Sequence, residues 1–296
     1  MKTNWKSIIF SIALLGVLTA CGGNEAVKKP EIDEEILDPN SSLNTNFDGK
    51  IFSIPSPIQT SMLIKESNIA YSENLLNPTA NVSNYTTESK RALNLGIYGT
   101  DLGYAALYNQ NSVSLKYLSA IEKLTNELKL EGAFDKQFMT RFDKNSTNQD
   151  SMLVIVSEAF RKADNFLKST DRKNTSVLIL TGGWIESLYF ACEMNSSNSN
   201  KKIIDRIGEQ QETLNTIIEI LKLYNKNGEN DDILSDMQEL KLSFDQINIE
   251  YDFVAPKTDE SKKLTTLQHR TVVKIDSNVL NMITSKISTI RAKIIG

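Results

Sequence analysis

Two long apolar stretches indicate how this chain folds. The first is residues 92–108, Ala-Leu-Asn-Leu-Gly-Ile-Tyr-Gly-Thr-Asp-Leu-Gly-Tyr-Ala-Ala-Leu-Tyr, and the second is residues 177–194, Val-Leu-Ile-Leu-Thr-Gly-Gly-Trp-Ile-Glu-Ser-Leu-Tyr-Phe-Ala-Cys-Glu-Met. Both stretches are apolar around most of a helical circumference, which is typical of helices buried on all sides in a large helical core. Both also contain interior glycines, and each interior glycine costs a helix about 1 kcal/mol relative to alanine. Close packing or a pocket must offset that cost. We therefore expect these two helices to meet at the centre of the protein.

The glycines of the first stretch lie on one helical face, because Gly96, Gly99 and Gly103 are spaced by three and four residues. A partner helix can approach closely along such a face. We expect that partner to be the second stretch, which contains adjacent glycines at residues 182–183.

A short pattern recurs in the two stretches. Asp101-x-x-Tyr104-x-Ala106 matches Glu186-x-x-Tyr189-x-Ala191 at an offset of 85 residues. The repetition suggests a divergent duplication of a four-helix unit, although a match this short also arises by chance.

The remaining apolar residues beyond Pro57 follow a 3.6-residue period, and no run alternates long enough to predict a strand. We expect an all-α protein, a multi-helix bundle in which short connections make chain neighbours antiparallel pairs. We place a single helical domain over 57–296. The periodicity predicts about nine helices: 58–67, 86–109, 112–130, 134–144, 149–169, 173–195, 201–225, 230–251 and 262–294.

The N-terminal segment is typical of a targeting sequence. Residues 1–20 combine two lysines with an apolar run from Ser7 to Leu18, which predicts a secretory signal peptide too short to span a membrane. The following residues, Leu18-Thr-Ala-Cys21-Gly, resemble the lipobox of bacterial lipoproteins. The resemblance implies a lipid on Cys21, a membrane as partner, and a location in the bacterial cell envelope, on the outer membrane. The alternative is a cysteine that merely follows a signal peptide.

Residues 21–56 are polar and rich in proline, which predicts a flexible tether between the lipidated cysteine and the helical domain. Four apolar side chains near its end predict contacts with the domain: Phe47, Ile51, Phe52 and Ile54.

Composition excludes several functions. The chain has 296 residues, with 37 acidic and 33 basic side chains, so it lacks the positive excess of a nucleic-acid binder. Its single histidine, His269, excludes any site that needs two imidazoles. We predict no metal, cofactor or catalytic residue. If Cys21 carries lipid, Cys192 has no partner for a disulfide, and its apolar surroundings predict a small buried hydrophobe.

Asp101 and Glu186 are lone acids within apolar helices, and each has a tyrosine three residues later, Tyr104 and Tyr189. One interpretation is a buried carboxylate pair with raised pKa values that acts as acid and base or holds a polar ligand, with Trp184 among the aromatic residues lining a cavity. The other interpretation, which we favour, is that both acids are hydrogen-bonded within the core.

Four further segments are similar to uncharacterised all-helical lipoproteins of Bacteroidota: Pro55-Ser-Pro57, Gly99-Thr-Asp-Leu-Gly-Tyr-Ala105, Val156-Ser-Glu-Ala-Phe-Arg-Lys-Ala-Asp164 and Gly182-Gly-Trp-Ile-Glu186. The resemblance implies a helical fold and an envelope location, and it implies no activity.

Two functions stay open at this point. One is a lipid-anchored, non-enzymatic interaction or scaffold module that contacts an envelope protein. The other is a small-molecule-binding lipoprotein with a pocket between helices 92–108 and 177–194. Close contact between these helices favours the first function, and a cavity of several hundred Å³ favours the second.

Overall fold

The computed structural model describes residues 42–47, 50–55, 57–145, 148–197, 199–261, 263–266 and 270–296. These residues form an all-α bundle with short antiparallel strand pairs, which confirms the predicted fold class. The described residues contain nine α-helices: α1 Pro57–Glu66, α2 Glu88–Leu107, α3 Asn111–Glu127, α4 Lys136–Asn145, α5 Gln149–Ser169, α6 Lys173–Ser197, α7 Lys201–Leu223, α8 Asp231–Phe244 and α9 Ser277–Ile295. The strand pairs are β1 Ser42–Phe47 with β2 Lys50–Pro55, β3 Asn248–Asp252 with β6 Arg270–Lys274, and β4 Lys257–Asp259 with β5 Leu264–Thr266.

Capping residues mark where several helices begin and end. The side chains of Thr87, Asn200 and Asp276 accept hydrogen bonds from backbone N–H groups in the first turns of α2, α7 and α9. At their other ends, α2 and α3 stop where Asn109 and Lys129 adopt positive φ values of 59° and 56°. Such left-handed residues satisfy the last carbonyl groups of a helix.

The central helices are α2 and α6. Every residue from Ala92 to Leu107 is buried. Thr175 donates a hydrogen bond to Glu88 near the start of both helices, and the rings of Tyr104 and Phe190 lie 4.9 Å apart near their ends. The two helices therefore run parallel. Antiparallel packing holds for chain neighbours such as α2 with α3, whereas α2 and α6 are separated in the chain by three helices.

The glycine face of α2 contacts three different helices. A Cβ atom at Gly96 would overlap the backbone of α6, as expected. A Cβ atom at Gly99 would instead overlap the ring of Phe160 on α5, and one at Gly103 would meet Ile58 of α1. The prediction of a single partner helix along this face is therefore correct only at Gly96.

The helices around the central pair repeat one arrangement. Both α1 and α5 contact α2 and α6, and α3 packs on α2 as α7 packs on α6. Helices α1–α3 thus have the same pattern of contacts as α5–α7. The repeated unit contains three helices, whereas the predicted duplication concerned a four-helix unit. The reciprocal contacts pair Gly96 with Gly182, an offset of 86 residues, whereas the sequence pattern repeats at an offset of 85, so the duplication stays a prediction.

The region between α8 and α9 differs from the prediction. The predicted helices 230–251 and 262–294 were wrong at one end each, because α8 ends at Phe244, α9 begins at Ser277, and residues 248–274 contain two strand pairs. Apolar residues at 247, 249, 251 and 253 alternate with polar ones, which is a strand pattern. Ile247 and Tyr251 are four residues apart, which also fits a helical spacing, and for that reason the strand was predicted as part of a helix.

The last part of the predicted tether forms the hairpin β1–β2. Phe47 at its turn is only 1% exposed, packs against the ring of Tyr224, and lies 4.0 Å beneath the ammonium group of Lys168. The predicted contact of Phe47 with the helices is confirmed. The signal peptide, Cys21 and the side chains of residues 51–54 lie outside the described residues.

Candidate functional site

The two predicted acids meet at the centre of the bundle beside an arginine. Asp101 on α2 and Glu186 on α6 are completely buried, and Arg291 on α9 is 6% exposed. The Nε and Nη2 atoms of Arg291 each donate a hydrogen bond of 2.6 Å to one carboxylate oxygen of Glu186. This bidentate geometry is the strongest form of the arginine–carboxylate pair.

Two further contacts hold the guanidinium group of Arg291. Its Nη2 atom also donates to the carbonyl oxygen of Leu75 at 2.7 Å. The ring of Tyr189 lies 4.2 Å from its Cζ atom, which is a cation–π contact. Burial lowers the pKa of Arg291, but the neighbouring carboxylate of Glu186 more than offsets this effect, so the pKa lies above its ordinary value.

Asp101 has weaker partners than Glu186. Its Oδ2 atom accepts one hydrogen bond, from the backbone N–H of Asn77 at 3.2 Å, and its buried Oδ1 atom has no hydrogen-bond partner among the described residues. Burial and the charge of Glu186 raise the pKa of Asp101 well above its ordinary value, while Arg291 opposes the shift. The raised pKa favours the protonated form of Asp101. The bidentate contact makes Glu186 the acid that pairs with Arg291.

A buried asparagine extends this polar centre. Asn77, in the connection between α1 and α2, donates through Nδ2 to Tyr85 Oη at 2.9 Å and to Asn94 Oδ1 at 3.2 Å. Its carbonyl oxygen accepts from Tyr117 Oη at 2.8 Å. These hydrogen bonds hold the connecting segment against α2 and α3. They also position the backbone N–H group of Asn77, which donates to Asp101.

The two remaining predicted residues have structural partners. The hydroxyl of Tyr104 accepts a hydrogen bond from the backbone N–H of Ser72 at 3.0 Å. The Nε1 atom of Trp184 donates to Oε1 of Gln210 on α7 at 2.9 Å. The structure therefore brings Asp101, Glu186 and Tyr189 together, whereas Trp184 faces a different helix.

Two members of the cluster were missing from the prediction, Arg291 and Asn77. A signal for Arg291 exists in the sequence. It lies four residues after Ile287 and three before Ile294, so it occupies the apolar face of its helix. A charged residue at such a position needs a buried partner of opposite charge.

The central helices are in direct contact at one point. The backbones of α2 and α6 touch at Gly96 and Gly182, where even a Cβ atom would overlap the opposite helix. An open groove of about 590 Å³ lies on the outside, along α4. It is lined by Lys136, Gln137, Thr140, Arg141, Lys144 and Asn145.

Reactive groups are scarce in the described part of the chain. No group of three or more His, Cys, Asp or Glu side chains there could hold a metal ion. Cys192 is buried, as predicted, and burial raises the pKa of its thiol to about 12, so it is a poor nucleophile. His269 lies outside the described residues.

One helix in the described part of the chain, α6, is long and apolar enough to cross a membrane. Its apolar surface is already covered by neighbouring helices, which is the environment of a core helix in a globular protein. No protein-family model, no curated protein and no solved structure matches this chain.

Proposed function

We propose that this protein is a lipid-anchored component of the bacterial cell envelope that acts without catalysis, as an interaction or scaffold module. The observation that supports this function best is the backbone contact between α2 and α6 at Gly96 and Gly182. Beside it Arg291 binds Glu186, and the alternative pocket between these helices has no space at the glycine contact.

The polar centre supports a structural role. A catalytic acid or base must come within hydrogen-bond distance of its substrate. Asp101 and Glu186 are completely buried, and the donors of Arg291 are directed at Glu186 and at a backbone carbonyl group. The cluster is therefore suited to holding three helices in register.

The anchor rests on the residues around Cys21. Each buried CH₂ group of a lipid chain contributes about 0.8 kcal/mol of membrane affinity, so two or more chains on one cysteine give stable attachment. Cleavage after Ala20 would change the formal net charge from −4 to −6, since residues 1–20 contain Lys2 and Lys6 but no acid. Anionic membrane lipids would not attract such a protein, so the acyl chains on Cys21 must supply the attachment.

Acyl labelling tests the anchor. Wild-type protein and Cys21→Ser are expressed with a clickable fatty acid, and Cys192→Ala serves as the matched control because Cys192 is buried. We expect label and membrane fractionation for wild type and Cys192→Ala, and loss of the label for Cys21→Ser. Equal labelling of all three proteins would overturn the proposed anchor.

Native mass spectrometry tests the non-enzymatic role against the small-molecule alternative. Protein released gently from membranes should have a mass that lipidated chains account for in full, as a monomer or a dimer, with no additional compound. A compound bound at one molecule per chain, and lost on unfolding, would contradict the scaffold function and support ligand binding.

A further inference from the structure

The four strands between α8 and α9 form an arm on the helical bundle, with β3 paired to β6 and β4 paired to β5. The pair β3–β6 packs on α7, where Val273 is buried and lies against Gly208. The pair β4–β5 lies beyond it, and its side chains are exposed or half-buried, with Leu264 55% exposed. A two-stranded ribbon with no covered face is marginally stable in water, so a further strand would stabilise this one.

Strand β4 has an open edge. Within the described residues it pairs only with β5, so its other edge can accept another strand. Its residues, Lys257-Thr258-Asp259, are complementary to themselves in the antiparallel direction. A two-fold axis at Thr258 places Lys257 of each copy opposite Asp259 of the other. The Oδ1 atom of Asp259 already accepts hydrogen bonds from the backbone N–H and the hydroxyl of Ser261, so Lys257 would join an existing set of donors. Opposite charges at such positions stabilise a sheet.

We propose that the β4 edge binds a second copy of this chain, and that the two arms form a four-stranded antiparallel sheet in the order β5–β4–β4–β5. The contact is isologous, so it closes at the dimer and does not extend into a filament.

The two faces of this sheet support the pairing. Asp259 lies opposite Leu264, and Lys257 lies opposite Thr266, so these side chains share one face. On that face the two charge pairs lie between the Leu264 side chains of the two copies. On the other face Thr258 already hydrogen-bonds to Thr265 at 3.1 Å, and the two-fold axis extends this pair into a row of four threonines.

Charge favours a second copy over a lipid surface as the occupant. Residues 257–263 contain three lysines and two acids, so both signs are interspersed in the sequence. A segment that binds anionic lipid carries clustered basic residues instead. This proposal identifies a second copy of the chain as one partner of the interaction module, and only that identification rests on the proposed function. Acyl labelling reports on the anchor and not on the dimer, so the two proposals can fail separately.

Cross-linking in intact membranes tests the dimer. In Thr258→Cys the two cysteines lie across the axis, within the Cα separation that a disulfide requires. We expect a covalent dimer on a non-reducing gel. Leu242→Cys, on α8 and 63% exposed, is the matched control and should stay monomeric, as should wild type, which contains Cys21 and Cys192. Equal cross-linking of all three proteins would overturn the proposal.

Charge exchange in the Thr258→Cys background identifies the register. Lys257→Glu and Asp259→Lys each place like charges opposite each other, and each should reduce the yield of dimer about tenfold. The double variant Lys257→Glu/Asp259→Lys should restore it. Co-expression of the two single variants should give mainly the mixed dimer, since both of its pairs are complementary.

The outcome against the proposal is equally clear. If neither single charge change altered the yield of cross-linked dimer, the pairing of Lys257 with Asp259 would be excluded. The same holds if the double variant gave no more dimer than either single variant. An unchanged melting temperature for each variant shows that the bundle is folded in either case.

Discussion

Gly96 and Gly182 have the same relationship to each other's helix. A Cβ atom at Gly96 would overlap the carbonyl oxygen of Ile179, three residues before Gly182. A Cβ atom at Gly182 would overlap the carbonyl oxygen of Leu93, three residues before Gly96. This reciprocity is what a two-fold axis between α2 and α6 produces, and it makes both glycines necessary for the contact.

Substitution of Gly96 by alanine should therefore destabilise the protein. Although alanine is the better helix former, its methyl group would force α2 and α6 apart, and we expect the free energy of unfolding to fall by about 3 kcal/mol. Urea denaturation measures this change. Gly103→Ala is the matched control on the same helix, because its Cβ atom would meet only the flexible side chain of Ile58, at 3.2 Å. A larger loss for Gly103→Ala than for Gly96→Ala would contradict the reciprocal contact.

Removal of the Arg291 side chain should be among the most damaging single changes. Arg291→Met leaves the carboxylate of Glu186 buried without a partner, and breaking such a pair costs about 3–5 kcal/mol of stability. The double variant Glu186→Gln/Arg291→Met removes both charges and should be more stable than Arg291→Met.

The control for this prediction lies two residues further along α9. Lys293 forms an ion pair with Asp236 at 2.5 Å on the exposed surface, and such pairs contribute little to stability. Lys293→Met should unfold at nearly the wild-type urea concentration. If Arg291→Met behaved in the same way, the buried pair would have no structural role.

The raised pKa of Asp101 predicts a pH dependence. The folded protein binds this proton more tightly than the unfolded chain, whose aspartates titrate at about pH 4. Below that pH both states are protonated and the contribution is fully present. As pH rises toward the folded-state pKa, only the unfolded state loses the proton, so stability falls by up to about 1.4 kcal/mol per pH unit.

Asp101→Asn removes this titration and tests its sign. We expect wild type and Asp101→Asn to have similar urea midpoints near pH 4, and the variant to become progressively more stable than wild type as the pH is raised. A wild-type protein that gains stability relative to Asp101→Asn on the alkaline side would show that the carboxyl group is ionised in the folded state.

Cys192 should be inert in the native protein. It is fully buried, and its thiol has a pKa of about 12, so a bulky aromatic disulfide reagent can reach it only through unfolding. The reaction rate should rise with urea in parallel with the unfolded fraction. Complete labelling within seconds in buffer, as fast as in denaturant, would contradict this burial.

The helical part of the fold could be predicted because burial and periodicity agree there. The stretches 92–108 and 177–194 are apolar all round, and they are the two central helices. The arm at 248–274 could not be predicted in the same way. Ile247 and Tyr251 fit a period of both two and four residues, and only tertiary packing decides between them.

The candidate site was predictable only in part. Asp101 and Glu186 could be identified because an acid inside an apolar helix requires a buried partner. That partner, Arg291, lies 105 residues after Glu186, and periodicity within one helix contains no information about which helices meet. The parallel direction of α2 and α6 was hidden for the same reason, since helices separated in the chain can pack in either direction.

The position of Arg291 in the chain has a consequence for how the protein acquires its structure. Glu186 is synthesised long before the residue that neutralises it, and Leu75, which Arg291 also contacts, is earlier still. Until α9 emerges, a compact arrangement of α1–α8 would enclose an uncompensated negative charge, and that state is unfavourable. We therefore expect the core to close only after α9 has been synthesised.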